Sequence, residues 1–86
     1  MRIEKKAWPE FFEKITSGEK TFDLRLGDFK CKPEDTLILK ELDPQKQVYT
    51  GRTIEKKVMY VLKTKNLSFW TKEDVEKHGF QIISLK

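Results

Sequence analysis

Residues 17–28 read Ser17-Gly18-Glu19-Lys20-Thr21-Phe22-Asp23-Leu24-Arg25-Leu26-Gly27-Asp28. From Lys20 to Leu26 the stretch alternates strictly, with Phe22, Leu24 and Leu26 on one face and Thr21, Asp23 and Arg25 on the other. That period of two predicts a β-strand whose apolar face belongs to a core. Its polar face is either solvated or a site, and the rest of the chain has to decide which.

Upstream, Pro9 suits the first turn of a helix, and Trp8, Phe11, Phe12 and Ile15 follow at helical spacing until Ser17-Gly18 stops it. The helix Pro9 to Thr16 is expected to lay an aromatic stripe on a sheet. Residues 2–6 (RIEKK) read as a short polar strand or lead-in. Downstream, Gly27-Asp28 turns the chain, a strand is expected from Thr36 to Leu42, and Asp43-Pro44-Gln45 ends it. Tyr49-Thr50-Gly51-Arg52 reads as a hairpin turn leading into the longest strand, Thr53 to Leu62. A loop at 63–70 precedes a short helix with Thr71 as N-cap and Gly79 as its stop, and Phe80 to Leu85 closes the fold as a last strand. The expected architecture is α+β: a small, partly closed, mostly antiparallel β-barrel with one N-terminal helix and one short helix before the last strand, spanning 1–86 as a single domain.

Composition narrows the chemistry. Eighteen Lys and Arg against 14 Asp and Glu leave a net charge of +4. The excess is uneven: residues 56–86 hold seven Lys and three acids, whereas 33–55 hold three basic and five acidic side chains. An anionic partner is therefore plausible. Only three of the basic residues are Arg, at positions 2, 25 and 52, and guanidinium is the better fork for phosphate. A lone Cys31 excludes an internal disulfide or a Cys-rich zinc site, and a lone His78 excludes a metal site built from several histidines within one chain. No metal and no cofactor are expected. The longest apolar run is Val58 to Leu62, far too short to cross a membrane, so a cytoplasmic protein without membrane contact is expected.

Helix WPEFFEKITSG, the stretch EKTFDLR and the turn YTGR together resemble the ASCH domain of the PUA-like superfamily, in its small stand-alone branch, over about Trp8 to Leu85. The family signature G-x-K-x-x-E-x-R stands here as Gly18 to Arg25, with Asp23 in place of the Glu. Glu34-Asp35 stands where many members have Gly-Asp. The resemblance implies a β-barrel with a cleft between its first helix and the barrel, lined by the signature residues, that binds RNA or a nucleotide-like ligand. One branch similar to ASCH domains removes the acyl group of N4-acetylcytidine with a Thr, a Lys and a Glu. Lys20 matches that Lys, but Asp23 occupies the nucleophile position, leaving Thr21 as the neighbouring hydroxyl and Glu73 or Asp74 as the acid.

The residues themselves suggest how such a cleft would work. Asp23 can hold Arg25 in place while the remaining guanidinium donors meet a phosphate or a base edge, and Lys20 adds a flexible point charge. The plain alternative is an exposed ion pair worth roughly 0 to 1 kcal/mol. Arg52 could reach a phosphate from a loop rim or stand solvated. In the loop 63–70, Lys65 and Trp70 belong to a basic and aromatic interleaving that suits single-stranded nucleic acid, although Phe69 and Trp70 could equally cap the open barrel end. The expected function is an RNA-binding or nucleotide-binding module, its partner single-stranded or structured RNA or a small nucleotide, its state monomeric. The alternatives are an amidohydrolase acting on a modified nucleoside through Lys20, Asp23 and Thr21, and a protein-interaction adaptor using Phe69 and Trp70.

Overall fold

The computed structural model describes residues 1–65 and 68–85. Its elements run β1 (Arg2–Ala7), α1 (Pro9–Thr16), β2 (Thr36–Asp43), β3 (Val48–Lys57) and α2 (Lys72–His78). The three strands form one open sheet in the order β1-β2-β3. β1 runs parallel to β2, with Ile3 opposite Leu37 and Lys5 opposite Leu39, and β3 runs antiparallel to β2, with Ile54 opposite Leu39. The expected partly closed and mostly antiparallel barrel is therefore not formed: the sheet is open and mixed.

The core lies between α1 and one face of the sheet. Ala7, Phe12, Ile15 and Leu39 are buried there, with Leu37 and Ile54 packed against them. The helix forms where its sequence punctuation says. Pro9 occupies its first turn, the Phe12 amide donates to the Trp8 carbonyl, and Gly18 at φ +85° reverses the chain after Thr16. Of the expected aromatic stripe only Phe12 turns inward with Ile15. Trp8 and Phe11 lie on the exposed side, their rings stacked at 6.4 Å.

The opposite face of the sheet is charged, and its side chains pair across strands. Arg2 donates to Glu55 at 2.9 Å, and Lys40 lies 3.7 Å from Glu4. This explains why β1 reads as polar: its outward positions carry charge, while Ile3 and Ala7 face the helix.

Two alternating segments expected as strands are not strands, and a third is a strand only in part. After α1, residues 20–26 form no ladder, and Leu24 and Leu26 are 68% and 80% exposed rather than core. Alternation alone does not make a strand, which also needs a partner, and residues 20–26 pair with neither of the outer edges that β1 and β3 leave open. The segment expected as one strand from Thr53 to Leu62 stops at Lys57, because its partner β2 begins at Thr36. Beyond that point Val58 exchanges backbone hydrogen bonds with Glu34 and Asp35, and Met59, Tyr60 and Leu62 are exposed. Residues 80–85 likewise form no strand, and Ile83 and Leu85 are exposed.

YTGR is not the hairpin turn. The turn lies at Pro44 to Gln47, where the Asp43 carboxylate accepts the amides of Gln45 and Lys46 and Gln47 adopts φ +57°. Tyr49-Thr50-Gly51-Arg52 lies within β3 at a bulge: pairing passes from Lys40 with Thr53 to Leu42 with Tyr49, so three residues face the single Glu41. Gly51 sits in the bulge at φ +96°. The short second helix forms as expected, with the Thr71 hydroxyl accepting the Asp74 amide and Gly79 at φ +65° ending it, and it buries no residue. No helix among the described residues is long and apolar enough to cross a membrane.

Candidate functional site

Gly18 aims the chain back along the helix, and the Lys20 amide donates to the Lys14 carbonyl at 2.9 Å. The Lys20 side chain then runs back along α1, so that its ammonium reaches the Phe11 ring in the first turn of the helix. There it lies 4.8 Å from the Phe11 ring centre, 5.2 Å from that of Phe22 and 4.0 Å from an oxygen of Asp23. The other Asp23 oxygen accepts from Arg25 Nε at 2.7 Å. Arg25 Nη2 in turn donates to the backbone carbonyl of Lys6 at 2.6 Å, which ties the segment to the end of β1.

Lys20, Asp23 and Arg25 thus meet around one carboxylate although they do not share a strand. Their side chains are 15%, 20% and 27% exposed. Ion pairs this sheltered are screened less than surface pairs. Two carbon rings hold the ammonium and two oxygens hold the guanidinium. Arg25 keeps its Nη1 donors without a partner among the described residues.

Thr21 points elsewhere. Its hydroxyl is hydrogen-bonded to that of Ser84, at the rim of a shallow hollow of about 280 Å³ shared with Ser17, Gly18 and Glu19. Its hydroxyl and the Asp23 carboxylate do not come together. On that rim the Lys14 ammonium, by hydrogen bond and charge, holds the Glu19 carboxyl below its ordinary pKa.

Arg52 belongs to a different group. The bulge places Thr50 and Arg52 on the α1 side of the sheet together with Glu41, a carboxylate only 4% exposed. Thr50 donates its hydroxyl proton to Glu41 at 2.7 Å, and Arg52 Nη1 lies 3.7 Å from the other Glu41 oxygen. The same guanidinium donates to Glu13 of α1 and lies 4.9 Å from the centre of the Phe12 ring. The hydrogen bond to Glu13 raises the Arg52 pKa further. Arg52 therefore fastens the helix to the sheet, and its donors face carboxylates rather than a loop rim. Trp70 packs edge-on against Phe69 and Phe80, at 5.6 and 6.1 Å. Neither it nor the exposed Lys65 shares a hydrogen bond or ion pair with the Lys20 group among the described residues. Of loop 63–70, Asn66 and Leu67 lie outside the described residues.

Some participants were not legible in the sequence. The parallel pairing of β1 brings Lys5 onto the helix side of the sheet, where its ammonium lies 3.7 Å over the Phe29 ring. Lys6 contributes through its carbonyl, which no side-chain pattern reveals. Glu41 did carry a signal: it continues the Leu37, Leu39 alternation onto the core face as a charge. No cluster of His, Cys, Asp and Glu among the described residues could hold a metal ion.

No curated protein matches this chain, and no solved structure matches it. One family model does, over residues 4–74, from β1 into α2 and across the whole Lys20 to Arg25 group. The chain accordingly belongs to the family described as a domain of unknown function, DUF3850.

Proposed function

We propose that this protein is an RNA-binding or nucleotide-binding module whose ligand engages the surface beside α1 through Lys20 and Arg25, with Asp23 as the residue that positions both. The observation that supports this most is the sharing of one sheltered carboxylate by two cations, one of which keeps unspent donors. A surface ion pair would consume a charge of each sign and leave nothing directed outward. Here a single Asp23 orients two positive groups, and the excess of one charge is available to an anion. The ASCH resemblance of Gly18 to Arg25 supports the same ligand class. With a net charge of only +4, affinity is expected to rest on a positioned site as much as on counterion release.

The test is fluorescence anisotropy with short single-stranded and structured RNAs, at low and physiological salt, comparing the wild type with Lys20→Ala and Arg25→Ala. Saturable binding that persists at physiological salt and falls at least about tenfold in each variant is expected, since a charge-assisted hydrogen bond carries roughly 1.5–3 kcal/mol. Binding that vanishes with salt and ignores both substitutions would remove this surface from consideration.

A further inference from the structure

Next to the Lys20 group lies a second hollow, open to solvent, of about 360 Å³, lined by Lys5, Leu24, Arg25, Leu26, Asp28 and Phe29. That volume is in the range of small-ligand sites. Its two cations are both in an unusual condition. Lys5 is held over the Phe29 ring and forms no ion pair among the described residues, so its position is fixed while its charge stays uncancelled. Arg25 spends Nε on Asp23 and Nη2 on the Lys6 carbonyl, leaving Nη1 for a ligand.

The hollow also contains a carboxylate. Asp28 makes no side-chain hydrogen bond or ion pair among the described residues, so its acceptors are unspent. A site for a bare phosphate, or for an acidic peptide, gains nothing from a carboxylate in its wall, which would repel the ligand. A ligand that joins a phosphate to hydroxyl donors uses both. An ionised carboxylate only accepts hydrogen bonds, and a ribose hydroxyl is a suitable donor for it. Leu24, Leu26 and Phe29 supply the apolar surface that a sugar and base edge would cover, which gives a reason for two leucines to stand exposed there.

We infer that this hollow takes one ribonucleoside monophosphate unit, free or at the end of an RNA, with Lys5 and Arg25 on the phosphate and Asp28 accepting from the ribose 2′-hydroxyl. The inference rests on the proposed function and narrows its ligand to phosphate plus ribose. It predicts discrimination of ribose from deoxyribose, since the 2′-hydroxyl is what separates the two.

Isothermal titration of the full chain with AMP, CMP, GMP and UMP, their 2′-deoxy counterparts and the unphosphorylated nucleosides tests it. The same short RNA with and without a 5′-phosphate separates the two sources of the unit. Ribonucleotides are expected to bind at least about tenfold more tightly than deoxynucleotides or nucleosides. Asp28→Ala should erase the ribose preference and Lys5→Gln the phosphate preference, with unchanged far-UV circular dichroism. Asp28 is exposed, so its variant decides the matter even if Lys5→Gln does not fold. Equal binding of nucleoside and nucleotide, or a ribose preference that survives Asp28→Ala, would overturn the inference. RNA binding lost in Lys20→Ala but untouched in Asp28→Ala and Lys5→Gln would overturn it and leave the proposed surface at Lys20 and Arg25 standing. No binding of any probe would end both.

Discussion

At the scale of single residues, the most consequential charge outside the site is Asp35, buried at the start of β2. Its carboxylate accepts from the Met1 amino group at 3.0 Å and from the Lys32 amide at 3.1 Å. The hydrogen bond from the amino group, followed by that from the Lys32 amide, holds its pKa below the ordinary carboxylate value. A group whose folded pKa is depressed stabilises the fold in full above its unfolded pKa and loses that contribution as pH falls through the folded one. Urea midpoints should therefore decline as pH drops below the usual carboxylate range, and Asp35→Asn should lower the midpoint at neutral pH while flattening the decline. An unchanged acid slope in the variant would assign the loss to other carboxylates. Gly51 makes a second case, of backbone rather than charge. Nothing lies within 4 Å of where a Cβ would stand, but φ is +96°. Gly51→Ala should cost about 1–3 kcal/mol in a denaturation curve through strain alone. A neutral result would mean that the bulge relaxes.

At the scale of elements, α1 carries the packing. Phe12 is nearly inaccessible between helix and sheet and underlies the Arg52 guanidinium, whereas Phe11, one position earlier, is exposed. Phe12→Ala should cost about 3–5 kcal/mol, and Phe11→Ala far less, in parallel denaturation curves. Similar losses in both would mean that the helix is seated differently. This helix was readable in advance because it is locally punctuated, by Pro9 before it and Ser17-Gly18 after it. The same holds for α2 between Thr71 and Gly79, and for β2, stopped at Asp43-Pro44. β1 was under-read because its outward positions are charged, and a parallel pairing to residues more than thirty positions away leaves no local trace. The site divides the same way. Asp23 and Arg25 meet because they are two residues apart, so their contact survives the loss of the expected strand. Lys5, Phe29 and the Lys6 carbonyl join through long-range contacts, and no spacing encodes those.

At the scale of the molecule, one small core coexists with much uncovered apolar surface. Leu24, Leu26, Met59, Tyr60, Leu62, Ile83 and Leu85 are all exposed, and all lie on segments whose alternation resembles that of strands. Alternation is a capacity for pairing, and these segments pair with neither of the outer edges that β1 and β3 leave open. Backbone amides without a ladder partner exchange through small local openings, whereas those of a central strand exchange only when the whole unit opens. Hydrogen exchange followed residue by residue should show Leu39 and its β2 neighbours slowest, with amides in 20–26, 59–62 and 80–85 exchanging orders of magnitude faster. If those three segments were protected to the level of Leu39, they would have to be paired, and the open three-stranded sheet would be wrong. If they exchange fast in the free protein and slow on addition of a ribonucleotide, protection should rise first at 24–26. Those residues alone among the three segments line the hollow that holds Lys5 and Asp28.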